Sequence, residues 1–169
     1  MSIYNAIVSR RSVRHFIDKP IYDETISKLL TAATMAPSGK NGQPWKFYVI
    51  NKDMGLIQKI SALSVYRKWL SGAACFIVVF LDKAVSYDYV KDIQAIGASI
   101  QNILLASYEL GIGSCWIGEI LRAEKQVKAL LEIHDENLEL MAVVALGYTD
   151  NDNADYTRKD ISEVLLGWK

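Results

Sequence analysis

Cysteine is nearly missing from this chain. Only Cys75 and Cys115 occur in 169 residues, and neither belongs to a CxxC pair. A disulfide framework and a Cys-type zinc site are both disfavoured. Histidine is as scarce: His15 and His134 stand far apart, with no third ligand at useful spacing, so no metal site is expected. An excess of either charge is missing too, since 19 basic residues balance 19 acidic ones. Proteins that mainly bind nucleic acid usually carry net positive charge or a long basic face, and that partner is disfavoured here. No long hydrophobic run occurs. The longest, Ala73 to Leu81, is far too short to span a bilayer, so no membrane partner is expected. The opening MSIYNAIVSRR does not resemble a signal peptide, and the expected compartment is the cytoplasm. Catalytic signatures are also lacking. There is no GxSxG, no HExxH and no carboxylate pair placed for acid–base work.

What is present begins with an ordinary globular composition, 51% apolar and 22% charged. A chain of this length buries about two-thirds of its unfolded surface, and with no linker or repeat in sight one domain over residues 1–169 is expected. Against the neutral background, Arg10-Arg11-Ser12-Val13-Arg14 stands out, with three guanidiniums in five residues. Arg offers a planar fork of donors that fits phosphate oxygens two at a time. If the segment is extended, residues 10, 12 and 14 share one side, and two Arg and one Ser would face a single anion. A solvated basic loop after a short helix explains the same five residues.

The rest of the chain reads as alternating helices and strands. Residues 2–9 suggest a short helix with Ser2 as N-cap. Asp23 is expected to cap a second helix, with Ile26, Leu29, Leu30 and Ala33 at helical spacing. The stretch Ala36-Pro37-Ser38-Gly39-Lys40-Asn41-Gly42-Gln43-Pro44 holds two Pro and two Gly, which exclude regular structure. It is dense in amides and hydroxyls, as functional loops often are. Trp45 to Asn51 reads as a strand, Asp53 opens a helix to about Leu63, and Tyr66 to Gly72 is ambiguous. Ala74 to Leu81 and Leu138 to Tyr148 are continuous apolar runs, expected as strands buried on both faces. Lys91 to Leu110 is the longest helix, apolar on nearly all sides; Gly97, Ala98 and Ser99 would let another helix approach, and Gly111 is its C′ cap. Ser114 to Gly118 is a short strand, and Ala123 to Ile133 a helix. Asp160 and Glu163 have capping-box spacing before a last helix that runs to Gly167. The sum is a sheet covered by helices, with enough apolar surface left over to suggest a dimer.

Two motifs fail on inspection. Gly111-Ile-Gly113-Ser-Cys-Trp-Ile-Gly118 has the wrong spacing for GxGxxG and follows a helix instead of a strand. Trp116 and Gly118 are less well explained by a simple helix C-cap, because a Gly at a strand end allows backbone to approach a flat ligand. The run Asp150 to Asp155 resembles a calcium loop but has Asp155 where Gly belongs and Ile161 where Glu belongs. A solvated loop is the better reading. Anion donors, an amide-rich loop and a Gly-Trp strand without a reacting side chain suit a protein that leaves the chemistry to an organic cofactor.

RRSVRHF near the start, APSGKNGQPWKF, GASIQNILLASYELGIGSCWIGE and a basic pair near the C-terminus, in that order, resemble the FMN-dependent nitroreductase family in its short form. The resemblance covers nearly the whole chain. It implies an α+β fold, a three-layer α/β/α sandwich with a mixed, mainly antiparallel central sheet. It also implies an intertwined homodimer with FMN at the subunit interface. Arg10, Ser12 and Arg14 match the phosphate and ribityl contacts, and Arg11 a position beside the flavin. Arg158, with Lys159, matches the basic position completing the phosphate site. Pro37, Ser38, Gly39, Asn41 and Gln43 match the loop that reaches the partner subunit's flavin. Trp116, Ile117 and Gly118 match the segment against the isoalloxazine. The implied activity is two-step transfer from NADH or NADPH through flavin N5 to a nitroaromatic, quinone or similar small acceptor. Members of the same fold also carry out reductive dehalogenation or oxidise the flavin itself, and a non-enzymatic flavin carrier would need the same binding residues. Longer members cover the flavin with further helical segments, where residues 52–73 and 82–91 are short here.

Overall fold

The computed structural model of the protein describes residues 2–150 and 157–169. Most of the acidic run weighed as a calcium loop falls outside them. Four strands form one sheet: β1 (Trp45–Asn51), β2 (Cys75–Asp82), β3 (Gly113–Ile117) and β4 (Leu138–Gly147). Their order is β1-β2-β4-β3, and every pairing is antiparallel. The apolar runs occupy the two central places because a central strand must be apolar on both faces. Along β2 the side chains alternate: Cys75, Ile77, Val79 and Leu81 enter one core, Phe76, Val78 and Phe80 the other. A register shift at Val79/Phe80 pairs Phe80 with Leu140, keeping both in the second core.

Helices close both faces. α1 (Ile3–Ser9) opens the chain, and α2 (Asp23–Thr34) follows the Arg segment. α3 (Met54–Ser61) and α4 (Arg67–Leu70) lie between β1 and β2, α5 (Tyr89–Glu109) between β2 and β3, and α6 (Glu124–Leu130) before β4. α2 and α5 cover the first core with Ile26, Leu29, Ile96, Ile100 and Ile103. α3, α4 and α6 cover the second with Ile57, Ile60, Leu70 and Val127. This is the expected α+β sandwich of three layers. The ends of the helices follow local chemistry. Ser2 Oγ accepts from Asn5 N at 3.1 Å, Asp53 accepts from Leu56 N at 2.9 Å, and Gly111 ends α5 at φ 70°.

Three expectations need correction. Asp23 does not cap α2: Tyr22 holds the N-cap position, and the Asp23 carboxylate instead accepts from Asn51 Nδ2 at 2.6 Å and Lys52 Nζ at 2.9 Å. It ties the start of α2 to the end of β1. The final helix, α7 (Ile161–Val164), stops well short of Gly167, although its capping box is present. Among the described residues nothing covers it, and so short a helix is not stable on propensity alone. Gly97 is not a helix contact; its nearest neighbour is the Trp116 indole, 3.8 Å from where a Cβ would stand.

The Arg segment is fixed to the free edge of the sheet. Ser12 forms an isolated parallel bridge with Ser114, Val13 N donates to Ser114 O at 3.0 Å, and Ile17 N donates to Tyr148 O at 2.9 Å. Two glycines make room for it. Gly113 and Gly147 face each other across β3 and β4. A Cβ at Gly113 would meet Val13 Cγ1 at 2.8 Å, and one at Gly147 would meet Phe16 Cδ1 at 2.6 Å. Val13 and Phe16 therefore seat in a slot that any side chain would fill. Gly147→Ala is expected to destabilise the fold by about 1–3 kcal/mol through overpacking. Thermal denaturation checks this as a clear fall in Tm.

Candidate functional site

Arg10 leaves α1 in an extended conformation (φ −56°, ψ 136°). Arg10, Ser12 and Arg14 all lie near one group, the Cys115 thiol of β3, and each influences its electrostatics. Arg11 turns the other way and donates from Nη1 to Val8 O and Arg10 O, each at 2.8 Å. Burial pushes the Cys115 thiol up, against the opposing pull of Arg14, Ser12 and Arg10. It is a neutral, buried floor beneath the cations.

Arg10 carries the strongest signal. Its Nε is buried and has no hydrogen-bond partner among the described residues. Its pKa is lowered, first by burial and then by repulsion from Arg158 and Arg11. A buried guanidinium nitrogen without a partner is costly, and an anion with several oxygens fits such a group. Arg158, exposed on the C-terminal arm, lies within electrostatic reach of Arg10. Lys159 lies beside it in sequence, exposed.

The amide-rich loop is held in a costly shape. Lys40, Asn41 and Gln43 have φ of 52°, 55° and 47°, a region that is expensive for residues with a Cβ. Gln43 N donates to Ser38 Oγ at 3.0 Å, and Gln43 Nε2 to Asn41 O at 3.3 Å. Pro37 is exposed at the loop's start. Tyr87 sits so closely on Gly39 that a Cβ there would meet its ring and hydroxyl and displace them, and Lys40 Nζ lies 4.7 Å from the Tyr87 ring centre. Sequence reasoning missed what fixes Tyr87. Asp92, buried in the first turn of α5, accepts from Tyr87 N at 3.0 Å, Asp88 N at 3.2 Å and Ser86 Oγ at 2.6 Å. An acidic residue opening the longest helix was the available signal.

The third part lies where β3 ends. Trp116 is 41% exposed and Ile117 is buried. Gly118 has nothing within 4 Å of where a Cβ would stand, so backbone is open to a flat ligand there. Clamp and Gly118 are the two ends of one strand, with the phosphate-type donors beside Ser114 and the open backbone after Ile117.

The fold is an α+β sandwich with an Arg-rich segment fixed along its sheet edge. The chain belongs to the nitroreductase family, an oxidoreductase family, whose family model matches residues 7–65 and 53–148. A proposed NADH dehydrogenase/NAD(P)H nitroreductase of Archaeoglobus fulgidus is 41% identical over 91% of this chain and 89% of its own length. A counterpart with the same description from Methanothermobacter thermautotrophicus is 32% identical over 88% of this chain and 78% of its own length. Among solved structures, a proposed nitroreductase of Desulfovibrio desulfuricans in complex with FMN superimposes with a TM-score of 0.94 at 35% identity, covering 100% of this chain and 98% of that one.

Proposed function

We propose that this protein is an FMN-dependent oxidoreductase that uses NADH or NADPH to reduce small organic acceptors, nitroaromatics and quinones among them. The observation that carries this reading is the half-buried Arg10, whose buried Nε has no hydrogen-bond partner among the described residues, near Arg14 and Arg158, which fits the phosphate of FMN. The relative from D. desulfuricans, solved with FMN, supports it. When bound, the flavin supplies two-electron chemistry between a reduced nicotinamide and an acceptor, each using the same face in turn.

The chain's residues bind and orient. Arg10, Arg14 and Arg158 fix the phosphate, with Ser12 as a neutral donor and Arg11 alongside; Lys159 adds charge at the rim. Trp116, Ile117 and Gly118 present the open end of β3 to the ring. Pro37, Ser38, Gly39, Asn41 and Gln43 belong to a loop shaped in advance by Tyr87 and Asp92, and in a homodimer it serves the partner subunit's flavin. No side chain is needed as acid or base, because hydride transfer to a flavin needs none. The chain works as one flavin-binding domain over residues 1–169, in the cytoplasm; among the described residues no helix is long and apolar enough to cross a membrane.

The dimer reading rests on the C-terminal arm. Residues 157–169 are all exposed, and Ile161, Val164, Leu165, Leu166 and Trp168 among them are apolar. On α1, Ile3 and Tyr4 are 79% and 72% exposed. Apolar surface of this extent marks an interface, and an isologous pair would cover both. The reading is tested by offering FMN to the purified protein and adding NADH or NADPH without oxygen. Protein that stays colourless, or bound flavin that neither dinucleotide bleaches, rejects it.

A further inference from the structure

Beyond Gly118, one side chain gathers a distant turn. Glu119 is mostly buried, with 21% of its side chain exposed. Its carboxylate accepts from Ser64 Oγ at 2.7 Å and from Val65 N at 3.5 Å. Arg122 closes the ring: its Nε pairs with Glu119, and its Nη2 donates to Leu63 O at 2.8 Å. Ser64 Oγ in turn accepts from Tyr66 N at 3.1 Å. The Leu63–Tyr66 turn, some fifty-five residues away in sequence, is thereby fastened to the residue that follows Gly118. Tyr66 packs against Trp69, with ring centres 5.8 Å apart. Val65 and Tyr66 nevertheless remain 69% and 43% exposed.

The latch holds an aliphatic and an aromatic side chain out in solvent, on the turn that is fastened to the residue after the open backbone at Gly118. A charge-assisted network is a strong way to fix a short exposed turn. We propose that Glu119 is a positioning residue for the acceptor: it latches the Leu63–Tyr66 turn so that Val65 and Tyr66 form a wall that stacks against flat, extended aromatic acceptors. The inference rests on the function proposed above and deepens it. The class of acceptor follows from the wall, since an aliphatic-aromatic surface gains by contact with apolar rings in proportion to area. A two-ring quinone therefore uses the wall, and a single small ring uses little of it.

The test has two readouts. Amide hydrogen exchange on the protein as purified should show Val65 and Tyr66 exchanging about tenfold faster or more in Glu119→Ala, less so in Glu119→Gln, with β2 unchanged. Steady-state kinetics should show Glu119→Ala raising KM for menadione about fivefold or more with kcat and FMN affinity near wild type, and KM for p-benzoquinone unmoved. Tyr66→Ala should reproduce the menadione KM with little change in exchange at Val65. Faster exchange with unaltered KM overturns the wall, and unaltered exchange overturns the latch. A protein that binds no flavin overturns the proposed function and the wall with it, while the exchange result still decides whether Glu119 is a latch.

Discussion

Arg10→Ala is expected to weaken FMN binding by about 1.5–3 kcal/mol, roughly ten- to a hundredfold, the usual cost of removing a charged hydrogen-bonding partner from a buried phosphate. The same substitution should not destabilise the flavin-free protein. Without an anion, the Arg10 guanidinium is half-buried, its Nε is partnerless, and Arg158 and Arg11 repel it. Removing it relieves a cost that the free protein bears. The two effects have opposite signs: the melting temperature of the free protein holds or rises, while the stabilisation by FMN shrinks. Arg10→Lys should fall between, because lysine keeps the charge but loses the planar fork. Isothermal titration with FMN, paired with thermal melts with and without it, measures both. Unchanged affinity would reduce Arg10 to a surface charge.

Trp168→Asp should turn the protein into a monomer. Trp168 is 87% exposed and Leu166 fully so, on an arm whose residues 157–169 are all exposed. Burying one aromatic side chain removes about 150–250 Å² from water, worth about 4–6 kcal/mol at 25 cal/mol/Å² before the cost of ordering it. An aspartate there loses that gain and adds a charge that the interface would have to desolvate. Even half the area term weakens dimerisation by roughly a hundredfold. Sedimentation velocity at micromolar concentration should show the shift, and FMN binding should fall with it if, as proposed, the Ser38 and Asn41 loop serves the other subunit's site. A wild-type protein that sediments as a monomer would overturn the dimer.

The architecture was legible where pattern and burial coincide. The runs at 74–81 and 138–148 announced central strands because only a strand covered on both faces is apolar at every position. The alternation of Trp45 to Asn51 marked β1 to the residue, and the Asp160 capping box was visible as spacing. The Arg cluster was legible as a triple at alternate positions, Arg10, Ser12 and Arg14, and all three lie near Cys115. What the sequence concealed depends on pairings between distant segments. Gly113 and Gly147 look like unrelated turn glycines until the β3–β4 register sets them opposite each other. Glu119 shows no local motif, since its partners lie at Ser64 and Val65. Asp23 carried the signature of a cap, but Asn51 and Lys52 compete for its carboxylate. The last helix was overextended because its apolar residues read as a buried face, yet among the described residues nothing covers them.

The central claim is that the cationic edge beside β3 holds FMN so that a dinucleotide and then an organic acceptor can reach it near Gly118. Anaerobic titration of the FMN-loaded protein, followed by visible absorbance, tests it most directly. The account predicts that FMN binds with its phosphate required, so riboflavin binds far more weakly. Stoichiometric NADH or NADPH then bleaches the flavin band, and a quinone restores it. Equal binding of riboflavin, or a flavin band that neither dinucleotide bleaches, would contradict the account.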